Sequence, residues 1–224
     1  MAPGQFLGVI KFFRNEDFLD KMISGLFHCQ PPELYRISGS EGVSDKFESC
    51  YYSYRRNRKD SSPHFAVNGI EFNTENINSL TTYNLPQKDS WLSCWMSLKA
   101  PESEDELLLL KKDIEKMKYF FGRYYVYITI DDMHKLVSRL KRVSEKEMRV
   151  GEVMYTNEKK KWGNFCKHIN YSYQREYRFA FGQCETLETK PYEIVCAEGL
   201  QDLMYKNPEI KINLSNNEFA LIEY

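Results

Sequence analysis

The sequence lacks the short patterns that mark the commonest metal and nucleotide sites. Its six cysteines stand at positions 29, 50, 94, 166, 184 and 196, so no two form a CxxC pair and no Cys/His grouping has zinc-like spacing. Neither GxGxxG nor GxxxxGK[ST] occurs, which argues against a Rossmann or P-loop nucleotide site. The histidines at 64, 134 and 168 are unrelated in spacing, and they therefore predict no catalytic triad.

Long apolar runs and a strong net charge are also missing. No stretch approaches the ~20 apolar residues of a membrane span, and the opening MAPGQFLGVIKFFRNED has neither the apolar run nor the small-residue cleavage site of a signal peptide. We therefore expect no membrane partner and a reducing cytoplasm in which the thiols stay free. The net charge of −1 gives no long-range attraction to nucleic acid or anionic lipid.

What is present predicts one α+β domain spanning residues 1–224. Strand and helix patterns are mixed without a regular βαβ rhythm, no linker or repeat interrupts them, and the last third is mostly β, so we expect a mixed, largely antiparallel sheet with a few helices. The clearest helix follows the capping box at Ser103, carries an apolar stripe from Leu107 to Phe121 and ends at Gly122. Aromatic residues make up 15% of the chain, which suits a tyrosine-rich β core or stacking on a ring-containing ligand.

Several further elements are predicted locally. Asn15 should cap a short helix ending at Gly25, Thr74 should cap a second and Asp131 a third. Residues 33–48 read as a loop, HFAVNGIEF as a strand or hairpin, and GLQDLMY as a short helix.

The most informative stretch is YQREYRFAF at 173–181. In a strand, Tyr177, Phe179 and Phe181 would face the core, whereas Gln174, Glu176 and Arg178 would share the other face. Two interpretations stay open. The polar face is either a solvated surface with a weak Glu–Arg pair, or the floor of a cleft where the carboxylate stabilises a developing cation and Arg178 orients it.

Other polar groups have both ordinary and functional interpretations. Asp45 and Glu48 in SDKFE suit a capped turn or a pair of site carboxylates, and His28 suits packing or a polar contact in a site. The basic run with Arg55, Arg56, Arg58 and Lys59 reads as a solvated surface loop or as a contact for a nucleic-acid strand. A metal-dependent nuclease ranks last, because the sequence shows no clustered Asp, Glu and Lys.

Several segments, in order, resemble a widespread bacterial and phage domain family of unknown function. They are VIKFFRNEDFLDKMISGLFHCQPP, SDKFE, WLSCWM, GRYYVYITID, GEVMYT and YQREYRF, which together span roughly residues 9–181. The chain departs from that pattern in three places. Ser44 and Lys46 replace an Asn and a Pro of the loop, Tyr119 stands near the place of a helix tryptophan, and Gln174 replaces the first Glu of the late motif.

Gln174-Arg175-Glu176 is also similar to the Gln-x-Glu motif of ADP-ribosyltransferases. That resemblance implies an ADP-ribosyltransferase-like fold with NAD as substrate, in which Glu176 is catalytic, Gln174 touches the acceptor and Arg178 supports Glu176. On the first two strands it implies Lys11 or Arg14 against the dinucleotide phosphates, and His28 or Gln30 as the second-strand polar residue.

Taken together, these features lead us to expect a phage or mobile-element protein that acts in the host cytoplasm as a toxin, defence or counter-defence factor. It would transfer ADP-ribose to a macromolecular acceptor. The alternative is a non-catalytic inhibitor that binds a host protein or nucleic acid. The two differ in whether Glu176 lies in a concave pocket beside a cation or on a flat surface.

Overall fold

The computed structural model describes residues 4–64, 66–71, 74–84, 86–214 and 217–222. They form a mixed α+β fold, as predicted. The helices are α1 Glu16–Ile23, α2 Pro32–Ile37, α3 Glu104–Phe121 and α4 Ile130–Val143. The strands are β1 Phe6–Phe13, β2 Leu26–Cys29, β3 Tyr52–Arg55, β4 Ala66–Val67, β5 Ile70–Glu71, β6 Ser79–Thr82, β7 Trp91–Lys99, β8 Tyr124–Thr129, β9 Met148–Glu152, β10 Met154–Tyr155, β11 Cys166–Lys167, β12 Glu176–Phe181, β13 Tyr192–Val195, β14 Tyr205–Lys206, β15 Ile210–Leu214 and β16 Asn217–Ile222.

Six strands form the central sheet, in the order β14-β8-β1-β7-β12-β9. Every neighbouring pair in it is antiparallel. The apolar run of β7 places it between β1 and β12, where both of its faces are covered, and strands buried on both faces read as nearly continuous apolar sequence. The largely antiparallel sheet predicted from the mixed rhythm of the chain is thus confirmed.

Two apolar clusters fill the two faces of this sheet. On one face, α1 and α4 pack over residues that include Val9, Phe27, Trp95 and Phe179. On the other, α3 and the β15–β16 hairpin pack over Ile10 and its neighbours. The alternation of β12 puts Phe179 and Phe181 on the first face, as predicted, and Glu176 and Arg178 on the second.

The sheet divides between its two central strands. The ladder of β1 with β7 runs from Phe6 to Ile10, which lies opposite Met96. Beyond that point β1 continues against β8, β7 continues against β12, and the residue after β2, Gln30, bridges to β7 at Leu92. Lys11 reaches across the division, because its ammonium donates to the carbonyl of Cys94 at 2.8 Å.

The helix ends predicted at Asn15, Ser103 and Gly122 are confirmed. Asn15 accepts a hydrogen bond from Asp17 N–H at the start of α1, Ser103 caps α3 and Gly122 ends it. A glycine is needed just after α1, since Gly25 has φ +114° and a Cβ there would lie 2.2 Å from the carbonyl oxygen of Cys196. These ends follow from chemistry within a few residues.

Other local predictions were wrong. Residues 33–48 are not all loop, because Pro32 opens the short helix α2. The segment after Thr74 forms β6 rather than a helix, the cap of α4 is Thr129 rather than Asp131, and the helix expected at 199–205 is instead a turn at 201–203 followed by the start of β14 at Tyr205. Residues 65 and 72 of the expected hairpin lie outside the described residues, whereas β4 and β5 pair as its two strands.

The basic stretch at 55–59 is not a plain surface loop. Arg55 is 3% exposed and donates to both carboxylate oxygens of Glu33, at 2.7 and 2.6 Å. Arg58 is half-buried and donates to Asp60 and to the carbonyl of Arg36. Only Arg56 and Lys59 of the four predicted nucleic-acid contacts are exposed, so the stretch offers half of the basic surface that the sequence suggested.

Among the described residues, no helix combines the length and apolar character that crossing a membrane requires.

Candidate functional site

The polar face of β12 lies under protein rather than water. Gln174, Glu176 and Arg178 are 3%, 6% and 0% exposed. The interpretation as a solvated face is therefore wrong, and the cleft interpretation needs correction as well, because Glu176 is covered. The cover consists of the segment 39–48 and the turn of 3-10 helix Ile169–Gln174.

Arg178 is the centre of this arrangement. Its Nε donates to Glu176 Oε2 at 2.5 Å, and its two Nη atoms donate to the two oxygens of Glu48 at 2.8 and 3.0 Å. Nη1 also donates to the carbonyl of Asn164 at 2.7 Å. The paired contact with Glu48 uses the planar geometry of the guanidinium, which a lysine could not reproduce.

Lys167, on β11, is the second cation. Its Nζ lies 2.8 Å from Glu176 Oε1, 3.2 Å from Glu48 Oε2 and 3.8 Å from Asp45 Oδ2. It also donates to Gln174 Oε1 at 2.9 Å. Two carboxylates are thus shared between two cations. We call Asp45, Glu48, Lys167, Gln174, Glu176 and Arg178 the buried ionic cluster.

Backbone geometry brings these residues together. Arg175 adopts φ 44°, ψ 45° and ends the 3-10 turn, so the chain turns sharply between Gln174 and Glu176. Both side chains then point into the cluster. The Arg175 side chain leaves it and pairs with Asp113 on α3 at 2.8 Å. A non-glycine residue in the left-handed region costs of the order of 1 kcal/mol, and such strain gathers at functional sites.

The cluster is not electrically balanced. Three carboxylates face two cations, which leaves one excess negative charge. Burial raises the pKa of Asp45 to about 6, with Glu48 adding to the effect and Lys167 opposing it. Burial also acts on Glu48, but Arg178 and Lys167 outweigh it and lower its pKa to about 2. The same two cations lower the pKa of Glu176. Asp45 is therefore the group that takes up a proton.

A depression of about 410 Å³ lies outside the cluster. One wall is the segment from Gly39 to Ser44, which leads directly into Asp45, and the other carries Tyr171 and Tyr173, which lead into Gln174. Two hydrogen bonds close the gap between the walls: Gln174 Nε2 donates to Gly42 O at 2.9 Å, and the Tyr171 hydroxyl donates to Ser44 O at 3.0 Å. The depression and the cluster thus share their walls.

The predicted NAD-binding side chains Lys11, Arg14 and His28 are not paired with Glu176, although Lys11 lies close enough to feel the charge of that carboxylate. Lys11 is half-buried in the division between β1 and β7, and Arg14 donates twice to the carbonyl of Phe120 at the end of α3. His28 lies 3.3 Å from Glu193 on the neighbouring strand, with 39% of its side chain exposed. Burial lowers the pKa of Lys11. None of the three has a hydrogen bond or ion pair to Glu176 in the part of the chain that the structure describes.

No family model, curated protein or solved structure matches this chain. Both resemblances drawn from the sequence therefore stay proposals, and the side chains themselves carry the functional argument.

The clustering that a nuclease would need does occur, contrary to the sequence interpretation. The fold gathers Asp45, Glu48 and Glu176 with Lys167. The cations occupy the space between the carboxylates, however, and the described residues contain no group of three or more His, Cys, Asp or Glu side chains that could hold a metal ion.

Sequence reasoning named five members of the cluster and missed Lys167. Asp45 and Glu48 stood out as an acidic pair, and Gln174, Glu176 and Arg178 as one face of a strand. Lys167 belongs to a two-residue strand, which is too short to show a period. A lysine directly after the apolar pair Phe165-Cys166 was the only signal available.

A second set of buried pairs anchors the segment that carries Glu48. Arg36 donates to both oxygens of Asp89 at 2.8 and 2.6 Å and to the carbonyl of Glu48 at 2.9 Å. Glu48 is therefore held from both its backbone and its side chain. The neighbouring stretch from Gly39 to Glu41 is exposed, so the cover over the cluster is firmly held at one end and lightly held at the other.

Proposed function

We propose that this protein is an ADP-ribosyltransferase-like enzyme that transfers ADP-ribose from NAD to a macromolecule, with Glu176 as the catalytic carboxylate. The observation that carries the proposal is the buried ionic cluster: an ionised carboxylate held between two cations, next to a ligand-sized depression. Ligand pockets commonly measure about 300–1,000 Å³, and the depression falls in that range.

The energetic cost of the cluster supports a functional role. Burying five ionisable groups with one charge uncompensated is expensive, and replacing such networks with apolar residues is often neutral or stabilising. A protein that needed only a stable core would gain nothing from the arrangement. Strongly perturbed carboxylates gathered in one place are typical of active sites.

The chemistry follows from the positions of the groups. Loss of nicotinamide from NAD develops positive charge on the ribose, and an ionised carboxylate fixed nearby stabilises that charge without having to reorganise. Arg178 and Lys167 keep Glu176 ionised and fix its two oxygens. Gln174, two residues earlier, would meet the acceptor. The protein would act in conflict between phage and host.

Access to Glu176 requires the cover to open at its lightly held end. Residues 39–44 are tied to the opposite wall by the hydrogen bonds at Gly42 and Ser44, whereas Glu48 is anchored by Arg36 and Arg178. Displacing 39–44 would therefore release Gln174 and Tyr171 from these two hydrogen bonds while leaving Glu48 and Arg178 paired. Closure of a segment over an active site excludes water during reaction.

A second candidate is a non-catalytic binding protein directed at a host protein or nucleic acid. The observation that favours it is the closed state of the cluster, in which Glu176 is 6% exposed and both its oxygens are paired. In that case the cluster would only shape the surrounding surface, and NAD would not bind.

The test is transfer of label from NAD, labelled on its adenylate phosphate, to the macromolecules of a cell lysate. We expect label with the wild type and at least about a hundredfold less with Glu176→Gln, because oxyanion-type and related electrostatic contributions are worth 10²–10³ in rate. Glu152→Gln is the matched control, because it makes the same substitution on the neighbouring strand β9, opposite Tyr177 of β12. The ion pair of Glu152 with Lys99 is exposed.

Circular dichroism must show that all three proteins are folded. Protease and nuclease digestion of the labelled product then identifies the acceptor class. Equal labelling by wild type and Glu176→Gln, or none from a folded wild type that also shows no thermal shift with NAD, would reject the enzyme proposal and favour the binding protein.

A further inference from the structure

The depression beside the buried ionic cluster presents three kinds of group on one surface. They are aromatic rings from Tyr171, Tyr173 and Phe120, the ammonium of Lys116, and the carboxylate of Glu41. Each kind of group suits a different part of one ligand. The sequence analysis did not predict these five residues as ligand contacts.

Within the aromatic wall, Tyr171 is the ring left for a planar group. Lys116 already lies over Tyr173, whereas Tyr171 lines the depression and has the buried Lys167 against its ring. Tyr171 and Tyr173 are half-buried, and the rings of Phe120 and Tyr173 lie 6.1 Å apart with a tilt of 47°. The opposite wall comes unusually close to Phe120, because Gly42 has φ +74° and a Cβ there would lie 2.2 Å from the ring. Nucleobases stack favourably on aromatic side chains whatever their identity, because every base has a π-face.

Lys116 supplies a cation at the aromatic wall. Its Nζ lies 3.7 Å from the centroid of the Tyr173 ring, and no ion pair to Lys116 is formed among the described residues. Lys118, two residues further along α3, shows the contrast, because it pairs with Glu115 at 2.9 Å. An unpaired ammonium resting on an aromatic wall is placed to receive a phosphate next to a stacked base.

The third group, the carboxylate of Glu41, suits the ribose of such a ligand. Glu41 is exposed on the same rim, and a carboxylate accepts hydrogen bonds from vicinal ribose hydroxyls. Ring, carboxylate and ammonium thus correspond to base, ribose and phosphate.

We infer that this depression is a binding site for a nucleoside monophosphate, with the base on Tyr171, the ribose at Glu41 and the phosphate at Lys116. The inference deepens the proposed function and rests on it for its biological meaning, because adenylate is one half of NAD. Binding itself depends only on the depression.

The experiment is isothermal titration of the full chain with AMP and with adenosine. We expect Lys116→Gln to weaken AMP binding about tenfold or more, since hydrogen bonds to charged groups contribute about 1.5–3 kcal/mol, and to leave adenosine binding unchanged. Lys118→Gln, on the same helix, should bind both ligands as the wild type does. Lys116 is exposed, so its replacement leaves the fold intact.

Failure of the wild type to bind AMP, or an equal AMP affinity for Lys116→Gln, would overturn the inference. The two proposals separate cleanly. AMP binding with the expected Lys116 dependence but no transfer from NAD supports this site and rejects the transferase, whereas transfer that depends on Glu176 without AMP binding does the reverse.

Discussion

Replacing Arg178 with methionine should be among the most destabilising single changes in this protein. Arg178 is fully buried and donates four hydrogen bonds, three of them to Glu48 and Glu176. Methionine fills much of the same volume, so the loss is mainly electrostatic. It would leave three buried carboxylates with Lys167 as their only cation. Breaking a buried pair by removing one partner costs about 3–5 kcal/mol.

Urea denaturation at pH 7.5 measures this loss as a change in the free energy of unfolding. Lys99→Gln is the control, because its bridge to Glu152 is exposed and such pairs contribute about 0–1 kcal/mol. Adding Glu48→Gln to Arg178→Met should restore part of the loss, since the carboxylate that lost its partner is then neutral. A loss below about 1 kcal/mol in Arg178→Met, or no recovery in the double variant, would refute the electrostatic reasoning.

Three further predictions concern stability measured in the same way. Burial raises the pKa of Asp45 from 3.8 to about 6, so the stability that depends on protonated Asp45 is present below pH 3.8 and is lost as the pH rises through 6. Asp45→Asn, which stays neutral, should therefore be as stable as the wild type at pH 4 and more stable by up to about 3 kcal/mol at pH 7.5. Equal stability of the variant and the wild type at both pH values would contradict this. Gly25→Ala should cost at least about 2 kcal/mol, because its Cβ would meet a backbone carbonyl at 2.2 Å, whereas Gly39→Ala, with nothing within 4 Å, should be nearly neutral; similar losses for the two would count against the close approach. Arg55→Gln should cost about 3–5 kcal/mol and the exposed Arg56→Gln less than about 0.5, and the reverse order would restore the surface-loop interpretation.

The sequence predicted best where short-range chemistry decides the structure. The cap at Asn15, the capping serine at 103 and the alternation of β12 each depend on residues within one or two turns. The α+β class followed from the mixture of those elements. The helix predicted after Thr74 does not form, because that segment pairs with β3, some 25 residues earlier in the chain, and no local pattern encodes such a contact.

The buried ionic cluster shows the same limit at the level of function. Glu176 and Arg178 could be predicted as one face of a strand, but their burial could not. Gln174 joins them from the 3-10 turn before β12 and not from that strand face, so this part of the prediction was wrong. The burial of this face depends on Glu48 crossing 130 positions of chain to reach Arg178 and on Lys167 from a strand of two residues. Charged residues are usually exposed, so a sequence interpretation places them at the surface unless their partners are already known.

Amide hydrogen exchange of the wild-type protein with and without NAD tests the central claim most directly, namely that NAD reaches Glu176 through the cover. Exchange reports opening of a segment and its protection by a ligand. The proposal predicts that saturating NAD changes exchange in the peptides covering 39–48 and 170–176 and leaves α4 unaffected. No change in either peptide, or a change confined to α4, would contradict it and leave the buried ionic cluster as a structural feature of a binding protein.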